Sequence, residues 1–429
     1  MTERPRRARW VPAAGFVLPA AVVLGALVVY PIVATIGYSF ADRTGSSFVG
    51  LANYREMLTN ARILTAIRNN MIWVVVVPVL VTMIGLVFAV ITERVSFGRA
   101  FRTIVFMPMA ISLVAGGVIW RVVYEEDPDR GLLNAGARAI VSVVRPPGPL
   151  AGAAASVGLR DDDGRIVFGE SLRPGDAVSL GLLRLSSADV PDGAQPASRP
   201  AAADGDAITG VVFRDFTPGR TGERGRVDPG ELGLPGITVE ARDDHGTVAR
   251  AVTDERGRFT IGGLPERSYL VALPASNFRP PFAGIGWLGA ALVTPAIIAA
   301  YTWMWAGFAM IVIAAGLAAI SREVLEAARV DGASGWQTFR YVTAPLLTPV
   351  LLVVLITMVI YVLKIFDIVL IIAPSNVQDD ANVIALEMWK TAFGARNLGL
   401  GSAVAVLLLT LVVPVMALNI RRFRAERLT

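Results

Sequence analysis

SREVLEAARVDGASGWQTFRYVTAPLLTP, residues 321–349, is a polar stretch that separates two long apolar runs. Ser321 is a favourable N-cap because its hydroxyl accepts from an unpaired backbone N–H, and Asp331-Gly332 supplies turn residues where a first helix ends. Ser334 and Gln337 have the spacing of a capping box, in which each side chain satisfies a backbone N–H. The stretch therefore predicts two short helices in succession.

The same stretch matches the loop of a known family. Glu326-Ala327-Ala328, Gly332 four residues further on, and Val342-Thr343-Ala344-Pro345 resemble the EAA loop of bacterial ABC-importer permeases. In that family the loop is the coupling helix, which docks into a groove on the ATPase subunit. The resemblance implies that the ATPase-coupling residues are Glu326, Ala327, Ala328, Asp331, Gly332, Ala333 and Pro345.

The physical chemistry of the loop agrees with this resemblance. Two alanines on the exposed side of a short helix let another backbone come close, while Glu326 and Arg329 supply charges that orient a partner. The alternative is an ordinary cytoplasmic loop whose alanines reflect an alanine-rich chain.

The composition is that of a membrane protein. Of the 429 residues, 54% are hydrophobic, and the mean hydropathy of +0.57 exceeds that of a usual soluble domain. The net charge of +5 comes largely from arginines at the ends of apolar runs, which indicates membrane topology and not nucleic-acid binding. The absence of cysteine excludes disulfides and thiolate metal sites.

Residue counts also exclude several kinds of catalysis. His245, the single histidine, lies in the turn-like sequence Asp-Asp-His-Gly, which argues against a histidine-based triad. Lys364 and Lys390 are the only lysines, and neither follows the glycine-rich loop of a Walker A motif. The chain is therefore predicted to be a non-enzymatic subunit.

Arginine-flanked apolar runs predict six spans with both termini in the cytoplasm. Pro108 is expected to kink the third span near its start. The predicted spans are residues 11–38, 70–91, 103–124, 287–318, 346–372 and 401–420.

An insert between the third and fourth spans is too polar to enter a bilayer. Residues 144–281 are rich in Asp, Arg, Gly and Pro, and topology places them outside the cytoplasm. Short alternating segments between turn signals predict a β-sandwich over about 208–277, after a smaller β element and a linker. The fold class is thus an all-α polytopic membrane protein with an inserted all-β domain, and the domains are 1–143, 144–281 and 282–429.

The sandwich segment is similar to the Cna-B or SdrD B-like repeats of surface proteins, on the runs 233–239, 253–259 and 263–265. Such modules often bind calcium through acidic loops, which makes Asp215, Asp228 and Glu231 calcium candidates. Nearby arginines and the irregular acidic spacing argue against a calcium site.

Polar and aromatic residues at membrane depth give candidates for the translocation pathway. Lys364 and Asp367, three apart, are expected to lie on one helix face and to pair. The alternatives are a purely structural ion pair and ordinary aromatic packing. The pathway candidates are Tyr301, Trp303, Trp305, Tyr361, Lys364 and Asp367.

Residues 366–369 and 388–393 look most like the alpha-glucoside branch of the sugar-importer permeases, although residues 372–375 depart from its usual Thr-x-Gly-Gly-Pro. The resemblance implies a multi-pass cell-membrane permease that binds no cofactor. Its partners are a second permease, two ATPase subunits that hold ATP and magnesium, an extracytoplasmic solute-binding protein, a sugar and the lipid bilayer. The alternatives are an ion-coupled secondary transporter and a membrane-anchored surface protein.

Overall fold

The computed structural model describes residues 10–94, 97–202, 205–216 and 222–426. Contacts divide the chain into the insert unit (Glu126–Ile285) and the helical unit (Met1–Glu125 and Gly286–Thr429). The predicted insert, residues 144–281, lies within the insert unit, which also contains the preceding helix.

Helices account for most of the helical unit. They are α1 (Trp10–Leu24), α2 (Tyr30–Tyr38), α3 (Ala52–Met57), α4 (Ala61–Arg94), α5 (Gly98–Phe106), α6 (Leu113–Val123), α7 (Leu132–Val144, in the insert unit), α8 (Val293–Ala318), α9 (Arg322–Val330), α10 (Gly335–Thr338), α11 (Ala344–Leu363), α12 (Asp367–Ile372), α13 (Ile384–Trp389) and α14 (Leu398–Glu426). Five helical stretches in the described part are long and apolar enough to cross a membrane: Phe16–Tyr38, Ala61–Glu93, Val293–Ala318, Gly335–Leu363 and Leu398–Ala417.

A bent pair of helices takes the place of the third predicted span. Gly98–Ala110 and Leu113–Val123 meet at 103°, whereas the sequence predicted one kinked span. Pro108 lies in the 3₁₀ turn just before the bend, where its missing N–H weakens a continuing helix. Ser112 then starts a new helix, because its hydroxyl accepts from the backbone N–H of Ala115 at 3.2 Å.

Close packing of α4 against α8 forms the centre of the helical unit. The two helices run in the same direction, since Ile72 and Ile298 line one shared space while Val90 and Leu317 line another near their far ends. A side chain at Gly85 would collide with Ala309. Glycine therefore permits this close approach.

The insert unit contains two β-sheets around one core. Its strands are β1 (Ala154–Ala155), β2 (Leu159–Asp162), β3 (Arg165–Phe168), β4 (Ala177–Leu183), β5 (Ile208–Arg214), β6 (Thr238–Asp243), β7 (Gly246–Val252), β8 (Arg258–Ile261) and β9 (Leu270–Leu273). The sheet orders are β1-β4-β5-β8 and β2-β3-β9-β6-β7. Leu180 and Ile208 from the first sheet and Val239 and Val271 from the second are buried in the shared core.

The division of the insert differs from the predicted one. Strand β4 pairs in parallel with β5, with Val178 opposite Gly210, and β3 pairs with β9, with Ile166 opposite Leu273. Strands that precede the linker therefore lie inside both sheets. The long connection between β4 and β5 makes the parallel pairing feasible, so the sandwich extends well before residue 208.

Asn134 of α7 joins the two ends of the insert unit. Its Nδ2 donates to the carbonyls of Glu126 at 3.1 Å and Ile285 at 3.0 Å. Its Oδ1 accepts from the N–H of Ile285 at 2.8 Å. The buried amide thus holds the entry and exit segments side by side.

Candidate functional site

The polar loop (residues 321–343) begins with a capped helix, α9. The Ser321 hydroxyl accepts from the N–H of Glu323 at 3.2 Å, which confirms the predicted N-cap. Glu323 lies in the first turn and Arg329 in the last, so each charge complements the adjacent end of the helix dipole.

The end of α9 is fixed by Gly332. Its φ is +82°, a value that glycine adopts without steric cost. The N–H of Gly332 donates to the carbonyl of Arg329 and that of Ala333 to the carbonyl of Ala328, both at 3.0 Å. These two bonds form a Schellman motif, which satisfies carbonyls that the helix leaves unpaired.

The second helix starts immediately after this turn. The Ser334 N–H donates to Oε1 of Gln337 at 2.7 Å, and the Gln337 N–H donates to the Ser334 hydroxyl at 3.3 Å. The predicted capping box is therefore confirmed.

The prediction that this second helix is short is wrong. Helix α10 continues through a π-helical turn (Phe339–Thr343) into α11, and Gly335–Leu363 forms one apolar helix of 29 residues. Pro345 does not stop it, and this proline lies just after the π-helical turn, in the first turn of the α-helical segment α11. The fifth predicted span, residues 346–372, thus starts earlier and stops at Leu363.

The outer surface of the polar loop mixes charge with apolar groups. Glu326, Ala327 and Arg329 are exposed, and so are Val330, at 87%, and Trp336, at 67%. Ala328 is half-buried, so only one of the two alanines has the predicted exposure.

A cavity of about 310 Å³ lies behind the polar loop. Its walls come from α9 and α10 and from the ends of α4 and α8, and they include Glu93, Leu317, Leu325 and Phe339. The loop therefore rests on the helical bundle without filling the space beneath it.

The aromatic cluster (Trp73, Tyr301, Trp305, Phe308 and Tyr361) lies between α4, α8 and α11. Ring centroids are 5.6 Å apart for Trp73 and Tyr301, 5.9 Å for Tyr301 and Trp305, 5.9 Å for Trp305 and Phe308, and 4.9 Å for Trp305 and Tyr361. Three predicted pathway residues, Tyr301, Trp305 and Tyr361, thus come together. Trp73 escaped prediction because it lies on a helix far away in the sequence.

Trp303 does not belong to the aromatic cluster. Its ring packs against Trp120 at 5.5 Å, on another side of α8, and its side chain is 40% exposed. Residues two apart on a helix point in different directions, whereas residues four apart share a face, so Trp303 is separated from Tyr301 and Trp305.

Several polar atoms around the aromatic cluster are buried. Trp73 Nε1, Thr302 Oγ1 and Trp305 Nε1 have no hydrogen-bond partner among the described residues. A buried donor without a partner costs about 1–3 kcal/mol. These groups are therefore suited to binding a polar molecule.

The prediction that Lys364 and Asp367 share one helix face is wrong. Helix α11 stops at Leu363 and α12 starts at Asp367, with Phe366 between them at φ −145° and ψ −66°. Both charged side chains are exposed. Among the described side chains of residues 286–417, the only ion pair joins Lys390 to Asp379, at 3.0 Å.

Comparisons with known proteins give the family of the chain. Residues 264–424 match the family described as binding-protein-dependent transport system inner membrane component. The osmoprotective compounds uptake permease protein GgtC of Synechocystis sp. is 30% identical over 411 residues, covering 96% of this chain and 98% of that protein. The chain belongs to the binding-protein-dependent transport permeases.

Other relatives and solved structures agree with this membership. The permease is 28% identical over 413 residues to the alpha-glucoside transport system permease protein AglF of Rhizobium meliloti, covering 96% of this chain and 82% of that protein. A chain of a bacterial ABC transporter involved in alginate import has 14% identity and a TM-score of 0.55, covering 97% of this chain and 96% of that chain. At this identity the structural match shows the fold alone, and that fold is the predicted polytopic permease.

Buried amides attach the connection between α12 and α14 to α4 of the permease. Asn69 Nδ2 donates to the carbonyls of Asp380 at 2.7 Å and Asn382 at 2.9 Å. Asn70 Oδ1 accepts from the N–H of Ile384 at 2.9 Å. Sequence reasoning missed this attachment, although two adjacent asparagines at the start of an apolar run were a visible signal.

The calcium candidates of the permease accept hydrogen bonds from protein donors. Asp215 Oδ2 accepts from Ser156 Oγ and, at 2.7 Å, from the N–H of Gly225. Asp228 accepts from the N–H of Glu223 at 2.7 Å, and Glu231 accepts from the N–H of Asp228 at 2.9 Å. In the described part of the chain, no three acidic or histidine side chains come together as a metal site.

Proposed function

We propose that this permease is the membrane-spanning subunit of an ATP-driven sugar importer, with α9 as the helix that docks on a partner ATPase. The observation that carries the proposal is the exposed α9, capped by Ser321 at one end and terminated by the Gly332 turn at the other. Caps fix both ends of a helix too short to be stable alone. A partner therefore meets a preformed surface.

The chemistry of that surface suits a protein partner. Val330 and Trp336 are exposed apolar groups at either side of the turn, and exposed apolar groups beside charges are typical of protein interfaces. Glu326 and Arg329 supply opposite charges on α9. ATP and magnesium would be held by two ATPase subunits, and a second permease would complete the pathway.

The continuous helix Gly335–Leu363 supports a mechanism for coupling. It starts at the polar loop and ends beyond Tyr361, whose ring contacts Trp305 of the aromatic cluster. A displacement of its first turn therefore reaches the aromatic cluster without crossing a flexible joint. ATP binding in the partner would move α9 and α10 and tilt this helix between inward-open and outward-open arrangements.

A sugar of the alpha-glucoside class is the substrate that fits best. The names of relatives mention osmoprotective compounds, alpha-glucosides and, for a permease of Thermococcus litoralis that is 36% identical over 148 residues, trehalose and maltose. Aromatic rings stack on apolar sugar faces. The indole N–H groups of Trp73 and Trp305, unpaired among the described residues, would donate to sugar hydroxyls.

We place the insert unit outside the cytoplasm, as a docking surface for a solute-binding protein. Arginines flanking the spans keep the polar loop and both termini inside. A related solved transporter was captured with a periplasmic protein that holds an alginate pentasaccharide. Replacement of residues 144–281 by a flexible linker should weaken binding-protein affinity and leave ATPase assembly unchanged, whereas unchanged affinity and transport would contradict this role.

The coupling proposal is tested by Glu326→Ala in the assembled importer. Glu323, in the first turn of the same helix and also exposed, provides a matched control because its substitution removes the same charge. Glu326→Ala should reduce transport and binding-protein-stimulated ATP hydrolysis, while Glu323→Ala should change both much less. Equal effects of the two substitutions would contradict a docking role for Glu326.

The pathway proposal is tested by comparing Trp305→Leu with Trp303→Leu. Only Trp305 belongs to the aromatic cluster, so Trp305→Leu should lower kcat/KM for sugar uptake about tenfold, the equivalent of about 1.4 kcal/mol. Trp303→Leu should have a smaller effect. The reverse order would place the pathway on the other side of α8.

Family membership favours this proposal over an ion-coupled transporter or a surface protein. Co-purification of a nucleotide-hydrolysing subunit with the permease would separate the three. Sugar uptake that persists without such a subunit and requires an ion gradient would refute ATP coupling.

A further inference from the structure

A groove of about 530 Å³ runs between α4 and α8 at the end of the bundle away from the polar loop. Its walls are mainly apolar, and two charged residues, Arg68 and Asp380, lie at its rim. The wall residues that matter here are Ile72, Val76 and Leu80 of α4 and Thr294, Pro295 and Ile298 of α8.

The groove adjoins an exposed apolar surface of α4. Met71, Val75, Val79, Met83 and Val87 are between 44% and 67% exposed, and their spacing of four places them on one inclined row of the helix surface. In a membrane permease an exposed apolar stripe of this kind faces acyl chains. The residues that line the groove lie next to this stripe, so the groove is open to a lipid chain from the side.

The length of the groove matches one leaflet of a bilayer. Arg68 and Leu80 are twelve residues apart, a rise of about 18 Å along α4, while half of the hydrocarbon core is about 15 Å. An acyl chain between α4 and α8 therefore has its headgroup near Arg68. Thr294 and Pro295 leave the α8 wall smooth, without a bulky side chain across the opening.

The rim of the groove carries one cation, Arg68, and one anion, Asp380. Asn69 Nδ2 donates to the Asp380 carbonyl at 2.7 Å, which holds Asp380 beside α4. Arg68 Nη2 donates to Asn69 Oδ1 at 3.3 Å, so both charged residues are connected to the same amide. Their side chains are exposed and form no ion pair with each other or with any other described side chain.

A zwitterionic headgroup satisfies both charges at once. We propose that the groove binds a phospholipid of the phosphatidylethanolamine type, with its phosphate on Arg68, its primary ammonium on Asp380 and one acyl chain between α4 and α8. Guanidinium and phosphate form strong charge-assisted hydrogen bonds. The carboxylate of Asp380 accepts a hydrogen bond from an ammonium N–H. A choline headgroup has no N–H to donate, and a glycerol headgroup carries no positive charge.

The test uses the full-length permease in nanodiscs that contain equal parts of phosphatidylethanolamine, phosphatidylglycerol and phosphatidylcholine. After extraction into mild detergent, native mass spectrometry counts the retained molecules of each lipid. The wild type should retain phosphatidylethanolamine preferentially. Arg68→Gln and Asp380→Asn should each reduce that retention about tenfold, as expected for the loss of a hydrogen bond to a charged group.

Two further variants separate the groove from general surface charge. Arg62→Gln removes an exposed arginine of α4 that does not line the groove, and it should leave retention unchanged. Thr294→Trp fills the groove and should abolish retention while both charges stay in place. If Thr294→Trp fails to give a monodisperse protein, a photoreactive phosphatidylethanolamine mapped by peptide mass spectrometry locates the lipid in the wild type.

Several outcomes would overturn the proposal. Equal retention of the three lipids, or equal effects of Arg68→Gln and Arg62→Gln, would exclude a specific headgroup site. Preference for phosphatidylglycerol would show an anion site in which Asp380 takes no part. If free glycerophosphoethanolamine, which has no acyl chains, occupied the groove, the ligand would be a soluble molecule and not a lipid. If the groove were cross-linked to a second permease in the assembled importer, it would be a protein interface.

Discussion

Gly332→Ala provides a quantitative test of the turn that terminates α9. A Cβ at this position would meet nothing within 4 Å, so the substitution causes no collision and acts only through the backbone. A non-glycine residue at φ +82° costs about 1–2 kcal/mol. If the docking surface requires this turn, the permease should bind its ATPase about 5- to 30-fold more weakly.

The assay measures the affinity of the ATPase for the permease in nanodiscs, together with binding-protein-stimulated ATP hydrolysis. Two controls accompany it. Gly332→Asn should be better tolerated, because asparagine adopts the left-handed region more readily than alanine. Gly335→Ala changes an equally open glycine without positive φ, and it should have little effect. Wild-type affinity of Gly332→Ala, or an equal loss in Gly335→Ala, would refute the role of the turn.

Three other expectations concern stability and folding. Gly85→Ala should destabilise the helical unit by about 1–3 kcal/mol, because the new methyl group meets Ala309. Gly25→Ala should be neutral, since a Cβ there meets nothing within 4 Å. Equal melting temperatures of the two variants would contradict this expectation. A fragment of residues 126–285 should fold, whereas one of residues 208–277 should not, since the latter lacks β3 and β4; dispersed NMR spectra from the shorter fragment would show otherwise. In the longer fragment the pKa of Asp243 is held below 3.8, first by the N–H of His245 and also by the charge of Arg267. The ionised carboxylate therefore stabilises the fold above that pH, and this contribution is lost as the pH falls through the folded pKa. Asp243→Asn should reduce the loss of stability on acidification, and identical acid unfolding curves of the two proteins would exclude the contribution.

Local patterns predicted the polar loop well because its structure is set by nearby residues. The hydroxyl of Ser321, the capping box of Ser334 and Gln337, and the turn at Gly332 each depend on groups within five positions. Family resemblance and the distribution of arginines likewise predicted a polytopic permease, which the comparisons confirm.

Features that depend on distant contacts were not accessible in the same way. The sequence around Lys364 contains no proline or glycine that would mark a helix break. The break occurs at Phe366, in a packed region where the neighbouring Ile365 and Ile368 are buried. Trp73 contacts Tyr301, and β4 pairs in parallel with β5. Both contacts join segments that are distant in the sequence, and local periodic patterns do not predict which distant segments meet. The local pattern predicts the start of α10 but not its continuation into α11, because the polar residues between Gln337 and Thr343 interrupt the apolar pattern without interrupting the helix.

The strand order of the insert unit has a consequence for its biogenesis. In the sheet β2-β3-β9-β6-β7 the middle strand is the last to be synthesised, so β3 and β6 each keep an open edge until Leu273 has emerged. Open edges pair readily with other chains, and domains generally fold in the order in which they are made. If the ribosome stalls before residue 270, the nascent chain therefore keeps two unpaired strand edges, on β3 and β6. Strand β9, from Leu270 to Leu273, pairs with both of them.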